Sequence, residues 1–233
     1  MARLLPYLEL TPMPVGHVLY ESSAPLSHVY FPINSIVSLL YTMDDGTSAE
    51  VALVGNEGVV GVSLFMGGET TPNRALVESA GHVYQLASDV LKVEFRLAGS
   101  MQRVLLRYTQ ELLMQMGQTM VCNRLHPMEQ QFCRWLLQCF DRLPTNKLIM
   151  TQELIAIILG VRRGAISEVA KKMQDAGLIE YHRGRIVLLD RPGLEARACE
   201  CYAVLKKEFD RLLPRIGDEK LAVRRFPSPS HPL

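Results

Sequence analysis

The sequence predicts an α+β chain with an N-terminal double-stranded β-roll, one long helix and a C-terminal winged helix-turn-helix. Three observations lead there. Short β-branched runs punctuated by glycine fill residues 15–92. Near Gly99 the pattern changes to apolar residues three and four apart. Residues 151–191 then read TQELIAIILGVRRGAISEVAKKMQDAGLIEYHRGRIVLLDR, two short helices about a tight turn followed by a basic hairpin. The expected divisions are 1–98 for the β-roll, 99–125 for the long helix and 126–144 for a connecting helix. Residues 145–192 follow as the winged unit, and 193–233 as a terminal helix and tail.

The β region begins with a short strand at 28–32. Residues 35–42 and 48–54 are apolar, β-branched runs joined by Met43-Asp44-Asp45-Gly46-Thr47, and Asp-Gly between such runs is a strong hairpin signal. Runs 74–79 and 82–86 read as another strand pair, turning near Ala80-Gly81. From 99 onward Val104, Leu105, Tyr108, Leu112, Leu113, Met116, Met120 and Val121 recur at helical spacing over about 25 residues without proline. Leu105, Leu112 and Met116 form one stripe; Leu106, Leu113 and Met120 form an adjacent one. A helix apolar on two sides has two partners, here its own β-domain and a second copy of the chain. His126-Pro127 ends it. Residues 128–143 make a second helix with Phe132, Trp135, Leu136 and Phe140 on one face, and Pro144-Thr145-Asn146 links onward.

In the winged unit Thr151 can cap the first helix, and Glu153 suits the positive end of its dipole. Leu154, Ile155, Ile158 and Leu159 form an apolar face, Ala156 leaves room for a crossing helix, and Gly160 supplies the positive φ that stops the first helix. The second helix buries Ile166, Val169, Ala170 and Met173 and presents Arg162, Arg163, Gly164, Ser167, Glu168 and Lys171 outward, the arrangement of a major-groove reading helix. Two strands around His182-Arg183-Gly184-Arg185 form a wing whose cationic tip suits phosphates or the minor groove; Lys171, Lys172, Arg183 and Arg185 are the expected backbone contacts. Residues 194–213 read as one further helix, and the tail beyond Phe226 as disordered.

Composition agrees. The 233 residues are 48% hydrophobic and suggest about two domains, with no apolar run long enough to span a membrane and no signal-peptide pattern. Five cysteines, an odd number, point away from a disulfide framework and toward a reducing cytoplasm. Net charge is +1, but residues 1–98 hold 4 basic against 10 acidic groups and residues 99–233 hold 21 against 14. A polyanionic partner therefore belongs on the C-terminal half.

This order of parts resembles the Crp/Fnr family of bacterial transcription regulators over residues 1–192. Thr151, Glu153, Ile155, Ala156, Gly160, Arg163, Ile166 and Ser167 fall where that family has similar residues. The resemblance implies a homodimer on a near-palindromic site in double-stranded DNA, with RNA polymerase as an expected protein partner. It implies Arg163 as the guanine reader, flanked by Arg162, Gly164, Ser167 and Glu168. It also implies the long helix as dimer interface, through Leu105, Tyr108, Leu112, Met116 and Met120. The β-roll becomes a cyclic-nucleotide-binding-like jelly roll that senses a small molecule, with Gly61, Val62, Ser63, Asn73, Arg74 and Ala75 at the effector pocket.

The sensory half departs from the cyclic-nucleotide pattern. Residues 58–65 carry no carboxylate for the ribose, and Asn73 stands at the phosphate-pairing position, with Arg74 shifted by one and so turned to the other strand face. Tight cyclic-nucleotide binding is not expected; Val62, Leu64 and Phe65 could fill the pocket, or another, unknown effector could occupy it. Residues 1–98 lack the cysteines of an iron–sulfur sensor, and His17, His28 and His82 form no haem motif. Cys199 and Cys201, two apart on one helix, would point about 200° apart and could not clamp one ion, so neither metal nor cofactor is expected.

Competing readings are an enzyme or an interaction module without DNA readout. The chain shows no nucleophile elbow, metal triad, phosphate loop or paired carboxylates at useful spacing. An effector-independent interaction module, or a β-roll that binds a ligand without DNA readout, is opposed by the Arg162-Arg163 pair and the basic wing.

Overall fold

The computed structural model describes residues 3–213. Seven strands build the N-terminal roll: β1 (Glu9–Met13), β2 (Val18–Tyr20), β3 (His28–Pro32), β4 (Ile36–Thr42), β5 (Ser48–Val54), β6 (Arg74–Ser79) and β7 (Gly81–Ala87). They form two antiparallel sheets in the orders β1-β7-β3 and β2-β6-β4-β5. The 43–47 hairpin is as expected: Gly46 takes φ 83°, and Asp45 Oδ1 accepts the Thr47 amide at 2.9 Å. The expected pairing of 74–79 with 82–86 does not occur. β6 pairs with β4 and β2, while β7 pairs with β1 and β3. Ala80 alone separates the two strands, too little for a hairpin loop, so the chain turns a corner between sheets. Gly81 makes that corner: a Cβ there would lie 2.6 Å from the Asn34 carbonyl oxygen.

Two helices complete the first half, α1 (Ser88–Arg96) and α2 (Ser100–Leu125). α2 has two apolar sides, distributed differently from the expected dimer set. Leu105, Tyr108 and Leu112 are buried against this chain's own β-roll together with Val59, Leu64 and Leu91. Gln115 fixes the register by accepting the Leu53 amide at 2.6 Å. Of the five expected interface residues Met116 is half-buried and Met120 alone is exposed, at 69%. The outward stripe is Leu106, Leu113 and Met120, with Val121 and Leu125 continuing it. Deep burial of one stripe leaves only the other free to meet a partner.

α3 (Met128–Arg142) is buried nearly all round from Gln131 to Phe140. One side joins the core of the C-terminal unit; the other packs on Ile36 and Leu53 of the roll. Between them lies a buried polar seam of Glu50, Glu78, Glu111, Arg134 and Arg142. The winged unit follows: β8 (Lys147–Ile149), α4 (Gln152–Leu159), α5 (Arg163–Asp175), β9 (Ile179–His182) and β10 (Arg185–Leu188), with sheet order β8-β10-β9. The expected single helix over 194–213 is two, α6 (Arg191–Arg197) and α7 (Glu200–Leu212). Asp190 caps α6 by accepting the Gly193 amide at 3.1 Å; Ala198 and Cys199 then turn extended (ψ 156° and 166°) and break the run. The expected tail disorder falls outside the described residues. No helix among those described is long and apolar enough to cross a membrane.

Candidate nucleic-acid interface

The helix-turn-helix is built from its caps upward. Thr151 Oγ1 accepts the Leu154 amide at 3.2 Å and starts α4. Gly160, at φ 65°, ends it, and the Val161 amide reaches back to the Ala156 carbonyl at 2.9 Å. Ile166, Val169, Ala170 and Met173 turn α5 inward onto α4. Arg162 is extended immediately before α5, so its first turn presents Arg162, Arg163 and Gly164, all exposed. The Arg163 side chain is 68% exposed and held only loosely, its Nε 3.8 Å from Glu153 Oε2. Ser167 is half-buried; its Oγ donates to Gln152 Oε1 at 2.6 Å and locks α5 onto the start of α4. Glu168 is exposed and paired with Lys172 Nζ at 2.9 Å, and Lys171 is exposed with no ion pair among the described residues.

The wing is a two-residue hairpin. His182 faces Arg185, and Arg183 and Gly184 between them take φ 47° and 77°, the tight turn whose twist matches the strands. The Met150 amide donates to the Gly184 carbonyl at 2.7 Å, and Tyr181 Oη donates to the Met150 carbonyl at 2.7 Å. Both the wing tip and the N-terminal half of α5 are thus tethered to the start of α4, through Met150–Thr151 and through Gln152. Arg163, Lys171, Arg183 and Arg185 are all solvent-exposed cations on this frame. Guanidinium groups suit guanine edges and phosphates, and the α5 N-terminus adds its positive dipole end.

The expected effector residues divide. Gly61, Val62, Ser63 and Asn73 line a cavity of about 40 Å³ with Tyr20, Leu39, Thr71, Leu112 and Met116. Arg74 and Ala75 do not line it. Arg74 turns out to Glu21 Oε2 at 3.4 Å, and Ala75 is buried in the roll core. Asn73 is engaged internally: Tyr20 Oη donates to its Oδ1 at 2.9 Å, and its Nδ2 donates to Thr71 at 2.7 Å. Leu64 and Phe65 do not fill this cavity either; Phe65 stacks on Phe95 at 5.1 Å beside a separate outer groove.

The cysteine geometry also corrects the sequence reading. Cys199 lies in the break between α6 and α7 rather than within a helix, so it and Cys201 do not diverge by 200°. Both sulfurs converge on Cys122 and His126 at the end of α2. Residues so far apart along the chain gave no local signal.

Residues 130–197 match the Crp-like helix-turn-helix domain family. The solved structure of FixK2 from Bradyrhizobium japonicum is 17% identical, with a TM-score of 0.71 over 82% of this chain and 98% of that one. CLP from Xanthomonas campestris, described as a c-di-GMP responsive global regulator, is 18% identical with a TM-score of 0.62 over 81% and 97%. A CRP/FNR-family transcriptional regulator from Thermus thermophilus is 20% identical, with a TM-score of 0.61 over 82% and 98%. These likenesses establish a shared fold. No curated protein sequence matches the chain.

Proposed function

From a Crp-like helix-turn-helix domain over residues 130–197, set in the fold of Crp/Fnr-family regulators, we propose a sequence-specific DNA-binding transcription regulator acting as a cytoplasmic homodimer. The observation that carries this reading is the exposed first turn of α5. Arg162, Arg163 and Gly164 project there from a helix fixed by its buried face, beside a cationic wing. Arg163 reads guanine; Thr151, Gly164, Ser167 and Glu168 border it; Lys171, Arg183 and Arg185 hold phosphates.

The test is binding to sites selected from a random DNA library, measured by fluorescence anisotropy across a salt series. Arg163→Ala is expected to lose about 1–3 kcal/mol on the selected site and to relax discrimination at one base pair. Lys171→Ala is expected to weaken all sequences alike and to lower the salt slope by about one. Equal weakening on every sequence after Arg163→Ala would remove the base-reading role.

The dimer forms through the outward stripe of α2, Leu106, Leu113 and Met120. A stripe of leucine and methionine at seven-residue intervals is the pattern of a helix–helix seam. The double variant Leu113→Lys, Met120→Lys is expected to sediment as a monomer and to lose most affinity for a two-half-site DNA; an unchanged dimer would rule this face out.

The effector, where one acts, is a small molecule other than a cyclic nucleotide. The cavity's 40 Å³ is far below the roughly 300–1,000 Å³ of ligand sites, and Asn73 and Arg74 are committed to Tyr20, Thr71 and Glu21. Leu112 and Met116 in its wall belong to the helix that carries the dimer stripe, which gives an occupant a mechanical route to the partner.

A further inference from the structure

The last turns of α2 and the start of α7 bring Cys122, His126, Cys199 and Cys201 together. One sulfur or ring nitrogen from each lies within 4.8 Å of all the others. Cys122 Sγ is 3.5 Å from Cys199 Sγ, and Cys201 Sγ is 3.4 Å from His126 Nδ1. Two sulfurs bound to one tetrahedral zinc at about 2.3 Å lie about 3.8 Å apart, so the ligand atoms already sit near the corners of such a site. A disulfide would need an S–S distance of about 2.05 Å, and all five cysteines are free.

Three further features belong to a built site. The three cysteines are at most 5% exposed and pack on one another, apart from the two large cores. His126 directs Nδ1 at the sulfurs while its Nε2 lies 3.3 Å from Glu200 Oε1, the outer carboxylate that fixes ring orientation at metal-binding histidines. Gln118 Nε2 donates toward Cys201 Sγ at 3.0 Å and so orients that sulfur from outside the cluster. Local geometry makes both halves: Cys122 lies in the last turn of α2, whose C-cap His126 donates its amide back to the Cys122 carbonyl, and Cys199 and Cys201 flank the positive end of α7.

We propose that Cys122, His126, Cys199 and Cys201 form a closed, four-ligand site for a thiophilic divalent cation, zinc foremost. Four protein ligands leave no open position, so the site is structural. It fastens the end of the long helix to the terminal helix, and so holds the C-terminal half against α2. The site stands on side-chain geometry alone and does not depend on whether the head reads DNA.

The full-length chain, reduced and stripped with a chelator, is titrated with Co²⁺. Tetrahedral d–d absorption and a thiolate-to-cobalt charge-transfer band are expected, both lost on stoichiometric addition of Zn²⁺. Cys201→Ser is expected to weaken cobalt binding at least tenfold. His126→Cys, which preserves four ligands, is expected to retain a tetrahedral spectrum even if the other variant misfolds. Glu200→Gln should leave the spectrum in place and reduce affinity on the order of 10-fold, as loss of an outer partner does. The proposal is overturned if the wild-type chain gives only the weak spectrum of hexa-aqua cobalt. It is equally overturned if Cys201→Ser binds cobalt as the wild type does, or if Cys122 and Cys199 are isolated as a disulfide whose reduction yields no metal binding.

Discussion

Arg142→Ala is expected to destabilise the protein by about 3–5 kcal/mol, the usual cost of removing one member of a buried ion pair. Arg142 ends α3, is 7% exposed and donates through Nε to Glu57 Oε1 at 2.6 Å and through Nη1 to the Gln138 carbonyl at 3.0 Å. Burial alone would lower its pKa, but Glu57 and then Glu111 overcome that and raise it. Its stem lies flat on Gly55, where a Cβ would come within 2.6–2.8 Å of the Arg142 side chain. Removing the guanidinium strands Glu57 and Glu111 inside the seam between the roll and the C-terminal unit. Urea unfolding followed by fluorescence of Trp135, the sole tryptophan and itself buried in α3, reads the loss directly. The paired change Arg142→Met with Glu57→Gln should cost less than Arg142→Ala alone, because Glu57 no longer carries a charge to be stranded and the stem volume is kept. A loss below about 1 kcal/mol for Arg142→Ala would mean that water solvates the seam.

The same seam is expected to make stability fall as pH rises from about 5 to 8. Glu78 is fully buried on β6; burial, and next the neighbouring Glu50, raise its pKa from 4.5 to about 8, against smaller pulls from Ser38 and Arg74. Burial likewise raises Glu50 to about 7, opposed by Ser38 and Arg134. In both cases the native state keeps a proton that the unfolded chain releases near the ordinary carboxylate value. Stability from that proton is complete below this value and is lost as pH climbs through the native one. Each pH unit withdraws about 1.4 kcal/mol per group, so a loss of about 2–4 kcal/mol across the window is expected from Glu78. Glu78→Gln, a neutral residue of the same shape, should flatten the curve and be more stable than wild type at pH 8, with little difference at pH 5. Urea midpoints at both pH values decide it, and a wild-type chain that gains stability between them would refute the assignment.

Much of the C-terminal unit was legible because its signals are local. Thr151, Gly160 and Gly177 each act on the backbone within a few residues, and the Arg183-Gly184 turn lies between strands whose alternation is plain. The long helix announced itself through its period, and its two stripes were visible. The hairpin at Asp45-Gly46 was readable for the same reason. The three-residue strands β2 and β8 carry too few side chains to show a period, and β1 is interrupted by Pro12.

By itself the sequence determined the succession of β-roll, long helix and winged unit, and which face of α5 is left exposed, since spacing, turn chemistry and residue type fix these over a few positions. Tertiary structure alone decided which stripe of α2 is spent on its own roll, that β6 and β7 part into different sheets, and that four glutamates and two arginines meet around α3. It also decided that Cys122 and His126 meet Cys199 and Cys201 from more than seventy residues away. Those outcomes depend on how faces distant in the chain compete for the same buried volume, and such competition leaves no trace in any short window of residues.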